Sequence, residues 1–349
     1  PTMYLPYLHV NNYSTFIFVP TTLASLASVN FLEIRSLSIV TGAFMPGGTI
    51  NMNVGDRLHV DNGCIMFPPV NYTNSLIIRL DITAARMSFD NGGGAWNYEY
   101  PSRKVTSSAL LLTPTESFGG NKYTFGVDLL ILFFNQLPQV VLSNALIKSS
   151  NYFCPVNTAL TNKKFKLNPT EQYFSDGRML LSAESSTPRT QREALISKLL
   201  TLGDDQELFS TIMIQANNLT ISNSVFTDIG ALQIIASGNC FIERTTMLNL
   251  SATGCPPQVV EIQSLASKYS KICKVVGGSN SGRGSLGALK NFENCRYVLA
   301  KSIKDSTNTV DSTGISAGAG GQKNHQMETD KSGFGGGAVY IISNSLMLE

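Results

Sequence analysis

At 349 residues the chain is long enough for one extended repeat domain or two ordinary ones. Charged residues make up 14% of it, against roughly 25% in an average soluble domain, and a net charge of +2 is too small to hold a nucleic acid or an anionic membrane. No run approaches the ~18 to 20 apolar residues that cross a bilayer, the most apolar stretches, VDLLILFF and STFIFV, being of strand length.

Residues 1–156 read as a β-rich region. It opens on PTMYLPYLHV, which has neither an initiator Met nor a basic leader and so predicts a processed terminus or a fragment. FLEIR, SLSIV, TINMNV and RLHV then alternate with period two. IIRLDIT sets Ile78, Leu80 and Ile82 on one face and Arg79 and Asp81 on the other. Gly-rich and Asn-Gly turns separate these segments (MPGGT, DNGC). The region predicts either the first coils of a β-solenoid or a β-sandwich preceding such coils. YTFGVDLLILFFNQLPQVVLSNALI, interrupted by Pro138, reads as consecutive buried strands.

Residues 157–207 form a polar insertion with one predicted helix. Thr190 and Glu193 make a capping-box pair, Ala194, Leu195, Lys198, Leu199 and Leu200 follow at helical spacing, and Gly203 stops it. Residues 208–253 return to short β-rich segments. Residues 254–334 are an irregular Gly/Ser/Thr-rich insertion, with Val259 to Ile262 strand-like, KICKVV a possible further strand and nothing from 303 onward able to build a core. Residues 335–349 bring back one coil, whose run from Val339 to Leu348 leaves Val339, Ile341, Ile342, Leu346 and Leu348 as a candidate assembly edge.

A corner motif recurs along the chain: apolar, Ser, Asn, small, apolar. It is found at Leu142-Ser143-Asn144-Ala145-Leu146, at Ile221-Ser222-Asn223-Ser224-Val225 and at Ile342-Ser343-Asn344-Ser345-Leu346. Asn tolerates the left-handed backbone region better than other non-Gly residues, so Asn144, Asn223 and Asn344 can each bend the chain while both flanking strands face inward. Stacked corners could then hydrogen-bond Asn to Asn along the pile. GALQIIASGNCFIE from Gly230 also aligns with GAVYIISNSLMLE from Gly337, with one residue inserted in the first. The spacing of such segments suits a coil of ~20 to 25 residues.

Gly335-Gly336-Gly337-Ala338-Val339-Tyr340 resembles the GGA(I/L/V) half of the repeat in chlamydial polymorphic membrane proteins, which are autotransporter-like surface proteins; Gly92-Gly93-Gly94-Ala95-Trp96 is a second match and Phe118-Gly119-Gly120-Asn121 fits the FxxN half. The likeness covers residues 208–253 and 335–349, and less closely 15–150. It implies a right-handed parallel β-helix, all-β, with loop and short helical insertions.

Candidate chemistry is sparse. His9, His59 and His325 are isolated in sequence, which removes most general-base and metal constellations. Gly282-Arg283-Gly284-Ser285-Leu286-Gly287 fits GxGxxG but has no run of alternating strands and helices around it, so it reads as a Gly-rich turn. No catalytic residue, cofactor or metal is expected. Asp204-Asp205 is the one adjacent acidic pair and the nominal suspect for a polysaccharide-cleaving β-helix. The six cysteines, Cys64, Cys154, Cys240, Cys255, Cys273 and Cys295, lack CxxC spacing and are candidates for up to three disulfides. Sequons at Asn12, Asn71, Asn218 and Asn249 are candidate glycan carriers, with Asn71 and Asn249 preferred for lying beside predicted turns. These features predict a non-enzymatic extracellular or cell-surface structural protein that associates with its own copies into a filament, appendage or coat. The alternative is an adhesin that displays loops from a β-helix stalk, and neither reading involves nucleic acid.

Overall fold

The computed structural model describes residues 2–18, 29–68, 78–98, 108–149, 211–251 and 338–349. Every regular element among them is a β-strand. The chain first alternates long and short strands: β1 (Thr2–Asn11), β2 (Thr15–Phe18), β3 (Val29–Val40), β4 (Ala43–Pro46), β5 (Thr49–Asp61), β6 (Cys64–Phe67), β7 (Ile78–Asp90), β8 (Gly94–Asn97), β9 (Ser108–Asn121) and β10 (Tyr123–Gly126). The long strand then splits in two, giving β11 (Leu129–Phe134), β12 (Val140–Ser143) and β13 (Ala145–Lys148), then β14 (Thr211–Ala216), β15 (Leu219–Ser222) and β16 (Val225–Thr227). A last long strand, β17 (Ala231–Ile242), and the short β18 (Met247–Asn249) precede β19 (Ala338–Leu348).

These strands form two sheets. Long strands and their split equivalents make an 11-stranded sheet in the order β1-β3-β5-β7-β9-β11-β14-β17-β15-β12, with β19 pairing β17. Short strands make an 8-stranded sheet, β18-β16-β13-β10-β8-β6-β4-β2. Successive rungs pair in parallel register in both. The arrangement is consistent with a solenoid in which each turn of chain gives one long and one short strand. Strands of residues 2–148 and of 211–249 belong to the same two sheets, so the expected alternative of a separate N-terminal sandwich is not what the chain adopts.

Inward positions stack like on like. Leu32, Met52, Ile82, Leu112, Leu132, Ile214 and Ile234 are register partners across seven rungs, none more than 2% exposed. On the other sheet Phe44, Ile65, Ala95, Phe125, Ile147 and Phe226 form a second column with no exposed surface. Each Leu, Ile or Phe so placed stabilises the stack by about 1.5–3 kcal/mol relative to exposure. Phe89 meets Phe125 edge-on at 5.1 Å, and Phe118 lies 4.8 Å from Phe134, so an aromatic cluster fills the middle rungs.

FLEIR with SLSIV, and TINMNV with RLHV, are each one strand rather than two. The register slips between Ile34 and Ser36 where β3 meets β5, and between Val54 and Arg57 where β5 meets β7. A bulge bends the strand there without ending it, which is why period two persists on both sides. The described residues up to 149, those of 211–249 and those from Ile341 onward belong to one compact unit. The predicted helix at 190–203 lies outside the described residues.

Candidate functional site

Seven of the corners between a long strand and the following short one are built on left-handed residues, the β17–β18 corner at Glu243–Thr246 being the exception. Asn12, Thr41, Asn62, Asn91, Lys122, Asn144 and Asn223 all have φ between 42° and 58°. Their backbone N–H groups bond across rungs: Asn62 N donates to Asp90 O at 3.0 Å and Asn91 N to Asn121 O at 2.9 Å. Side chains extend the ladder. Asn223 Nδ2 donates to Asn144 Oδ1, Asn144 Nδ2 donates to Asn121 Oδ1 at 3.2 Å, and Asn91 Nδ2 donates to Asp61 Oδ1 at 2.7 Å. Two glycines near this corner are steric requirements: a Cβ on Gly94 would sit 1.8 Å from Thr124 O, and one on Gly120 would sit 1.9 Å from Phe89 O.

Asn344 departs from its expected role. It lies inside β19, without the left-handed φ, and its Nδ2 donates to Ser237 O. It stands at the mid-strand bend instead, where Asn217 Nδ2 donates to Asn135 O at 2.8 Å and to Leu137 O at 2.9 Å. Ser237 Oγ continues this second ladder by donating to Asn217 Oδ1 at 3.0 Å. The local Ser-Asn pattern is the same at both bends, and only the position along the rung separates them. Glu349 N also donates to Ile242 O at 3.2 Å, so β19 ascends parallel to β17.

β19 is an edge strand with β17 as its neighbour among the described residues. Of the candidate edge residues, Val339 is 45%, Leu346 45% and Leu348 63% exposed, whereas Ile341 and Ile342 are half-buried. At the opposite edge β1 leaves Tyr4 68% and Tyr7 64% exposed.

The other candidates are dispersed. Cys64 and Cys240 are buried free thiols rather than the disulfide partners expected of them, and desolvation raises the pKa of each to about 11. Cys154, Cys255, Cys273, Cys295, Asn71, Asp204, Asp205 and the GxGxxG segment lie outside the described residues. Asn12 is exposed at its corner, and Asn249 is exposed on β18. Asn218 is engaged at both ends of its amide, Nδ2 donating to Pro138 O at 2.9 Å and Oδ1 accepting from Asn239 N at 3.0 Å.

One constellation was not foreseen. The outward side of β5 carries Arg57, His59 and Asp61, and the register sets them beside Arg86, Ser88 and Asp90 of β7. Ser88 Oγ lies 2.8 Å from His59 Nδ1, and Arg57 Nη2 donates to both at 3.3 Å. Asp90 Oδ2 is 3.8 Å from the same ring nitrogen. A nucleophile relay needs Ser and Asp on opposite ring nitrogens, so this is not one. Beside it Arg86 is hydrogen-bonded to Asp56, which holds that exposed carboxyl below the usual range and raises Arg86 in turn. The signal lay in DRLHVD and ARMSFD, two segments of the same outward pattern, and was hidden because His59 and Ser88 are far apart in sequence. Among the described residues no group of three or more His, Cys, Asp or Glu side chains is placed to hold a metal ion, and no helix is long and apolar enough to cross a membrane.

In comparisons with known proteins no family model, no curated sequence and no solved structure matches the chain.

Proposed function

We propose that the chain is a right-handed parallel β-helix, akin to the polymorphic-membrane-protein-like surface repeats that its GGA segments resemble, and that it serves as a non-enzymatic extracellular structural protein. It associates with further copies through its strand edges into a filament, appendage or coat. The observation that carries this reading is the contrast between edge and interior: Tyr4 is 68% and Leu348 63% exposed while the stacked inward residues are at 2% or less. An open edge with unpaired backbone groups and few charges recruits further strands. Sedimentation and negative-stain microscopy of the purified chain test it. Regular polymers are expected, and Leu346→Lys, which puts a charge on the β19 edge, should dissolve them. A chain that stays monomeric at high concentration, or polymers indifferent to Leu346→Lys, would refute edge association.

A display role is the second reading, favoured by where the chain varies in length. Every long insertion leaves from the join between a short strand and the next long one: after β2, β6, β8, β13 and β18. Elsewhere that join is as short as Gly47-Gly48 or Val127-Asp128. Isolated rods in the microscope, with binding lost on excision of residues 157–207, would favour this adhesin reading.

A further inference from the structure

We propose that the outward side of β5 and β7, centred on Arg57, His59, Asp61, Ser88 and Asp90, is a binding platform for a neutral, hydroxyl-rich glycan. The inference is independent of whether the chain polymerises. Charge is scarce in this protein, 14% of residues, yet Asp56, Arg57, Asp61, Arg86 and Asp90 lie together on two adjacent rungs. They are accessible: the side chains of Arg86, Asp56 and Asp90 are 53%, 47% and 32% exposed, and that of His59 is 23% exposed.

Arg57 can only donate, and its Nη2 lies 3.3 Å from both His59 Nδ1 and Ser88 Oγ. Among the described residues no carboxylate pairs with Arg57, which keeps further N–H groups for a ligand. Asp61 Oδ1 accepts from Asn91 Nδ2, which leaves Asp61 Oδ2 as an acceptor for a ligand, while Asp90 Oδ1 accepts from Asn121 N at 3.1 Å and its Oδ2 faces His59 Nδ1 at 3.8 Å, where a ligand hydroxyl can bridge the two. The arginine row and the carboxylate row thus lie about 13 Å apart along the strand with the His59 and Ser88 row midway between them, and neighbouring rungs are about 4.8 Å apart. The row of His59 and Ser88 continues through Ser38 of β3 to His9 of β1.

Simple ions suit this surface poorly. An anion drawn to Arg57 meets the carboxylates of Asp56, Asp61 and Asp90, and a cation drawn to Asp61 and Asp90 meets Arg57 and Arg86. A sugar hydroxyl both donates and accepts, so a chain of vicinal hydroxyls laid across the rungs satisfies both rows, with charge-assisted bonds to Arg57 and to the carboxylates. The exposed Tyr7 ring, with Arg35 5.9 Å over it, offers an apolar face at the β1 end of the same surface.

Titration of the intact chain with neutral hexasaccharides built on glucose, mannose, galactose and N-acetylglucosamine, followed by calorimetry and by the His59 ring resonances, tests this. At least one should bind and move the His59 signals, assigned by their loss in His59→Gln. Arg57→Gln and Asp90→Asn should each weaken binding about tenfold or more, the loss of one charge-assisted bond, with the melting curve unchanged. The proposal is overturned if none of the four binds, if binding leaves His59 unmoved, if either substitution leaves affinity intact, or if a uronate hexamer or inorganic phosphate binds more tightly than the neutral sugars.

Discussion

Replacing Asn144 by Ala and by Gly separates the two contributions of the left-handed corner. At φ 53° an Ala meets the steric cost of the left-handed region, about 1–2 kcal/mol. Either substitution also removes the bonds to Asn121 Oδ1 and from Asn223 Nδ2, which at an exposed position contribute roughly 0.5 kcal/mol each. Asn144→Ala should therefore cost about 2–3 kcal/mol and Asn144→Gly about 1 kcal/mol, since Gly enters this region freely. Asn344→Ala, in extended backbone with one side-chain bond to Ser237 O, should cost only about 0.5 kcal/mol. Urea unfolding with an unchanged slope reads all three. Equal losses for Ala and Gly at position 144, or a loss at 344 as large as at 144, would refute the distinction between the two bends.

Asp128→Ala should destabilise by about 2–4 kcal/mol, because the buried carboxylate accepts from Ser108 N at 3.0 Å, Ser108 Oγ at 3.1 Å and Asn97 Nδ2 at 3.2 Å; thermal melting measures this, and Asp128→Asn should recover part of the loss. Gly94→Ala should abolish the native fold, since the added Cβ strikes the Thr124 carbonyl on the next rung, and circular dichroism of the soluble fraction checks it. Cys64 and Cys240 should resist a thiol reagent in the native chain at pH 8 and react fully in urea. Their burial raises the folded thiols to about 11, so the unfolded thiols ionise first: this contribution to stability is intact below about pH 8.5, the free thiol value, and declines as pH rises toward the folded one. Unfolding free energies measured across that window should fall, and should not in a Cys64→Ser/Cys240→Ser variant.

Period-two segments, the Ser-Asn bends at 144 and 223 and the alignment of residues 230–243 with 337–349 were legible because a parallel stack repeats its pattern once per rung. The two aligned segments are the strands β17 and β19, which pair. What stayed hidden was which of two bends a Ser-Asn pair occupies, since Asn344 and Asn223 have nearly identical neighbours and differ only in distance from the start of the rung. The left-handed corners at Thr41 and Lys122 escaped for a related reason: backbone ladder bonds hold those turns, so the residue type is only a preference there. The cluster at His59 and Ser88 was invisible to motif reading because rung stacking joins residues about thirty positions apart, 31 from Arg57 to Ser88, and no local spacing rule spans an insertion of variable length.

The three joints of a rung differ in what fixes them. Between long and short strands the linker is never longer than Glu243–Thr246, and ladder bonds through Asn91, Asn144 and Asn223 cross every rung they touch. The mid-strand bend is held by Asn217, Asn218, Ser237 and Asn344, each tied to backbone or side chain on a neighbouring rung. At these two joints the chain varies by a few residues at most, and a bulge takes up the one extra residue of β5 and of β9, so that the inward columns, set by the period-two alternation of side chains, stay aligned. Between short and long strands the bracket of Asp128, Ser108 and Asn97 joins residues on different rungs, so the register is held across rungs whatever the length of chain between them. Closing a longer loop at a joint already fixed costs only about 0.6 kcal/mol per doubling. Length variation therefore collects at that one joint, and the surfaces on which a ligand can rely for constant spacing are the outward sides of the other two, where Arg57, His59 and Asp90 stand.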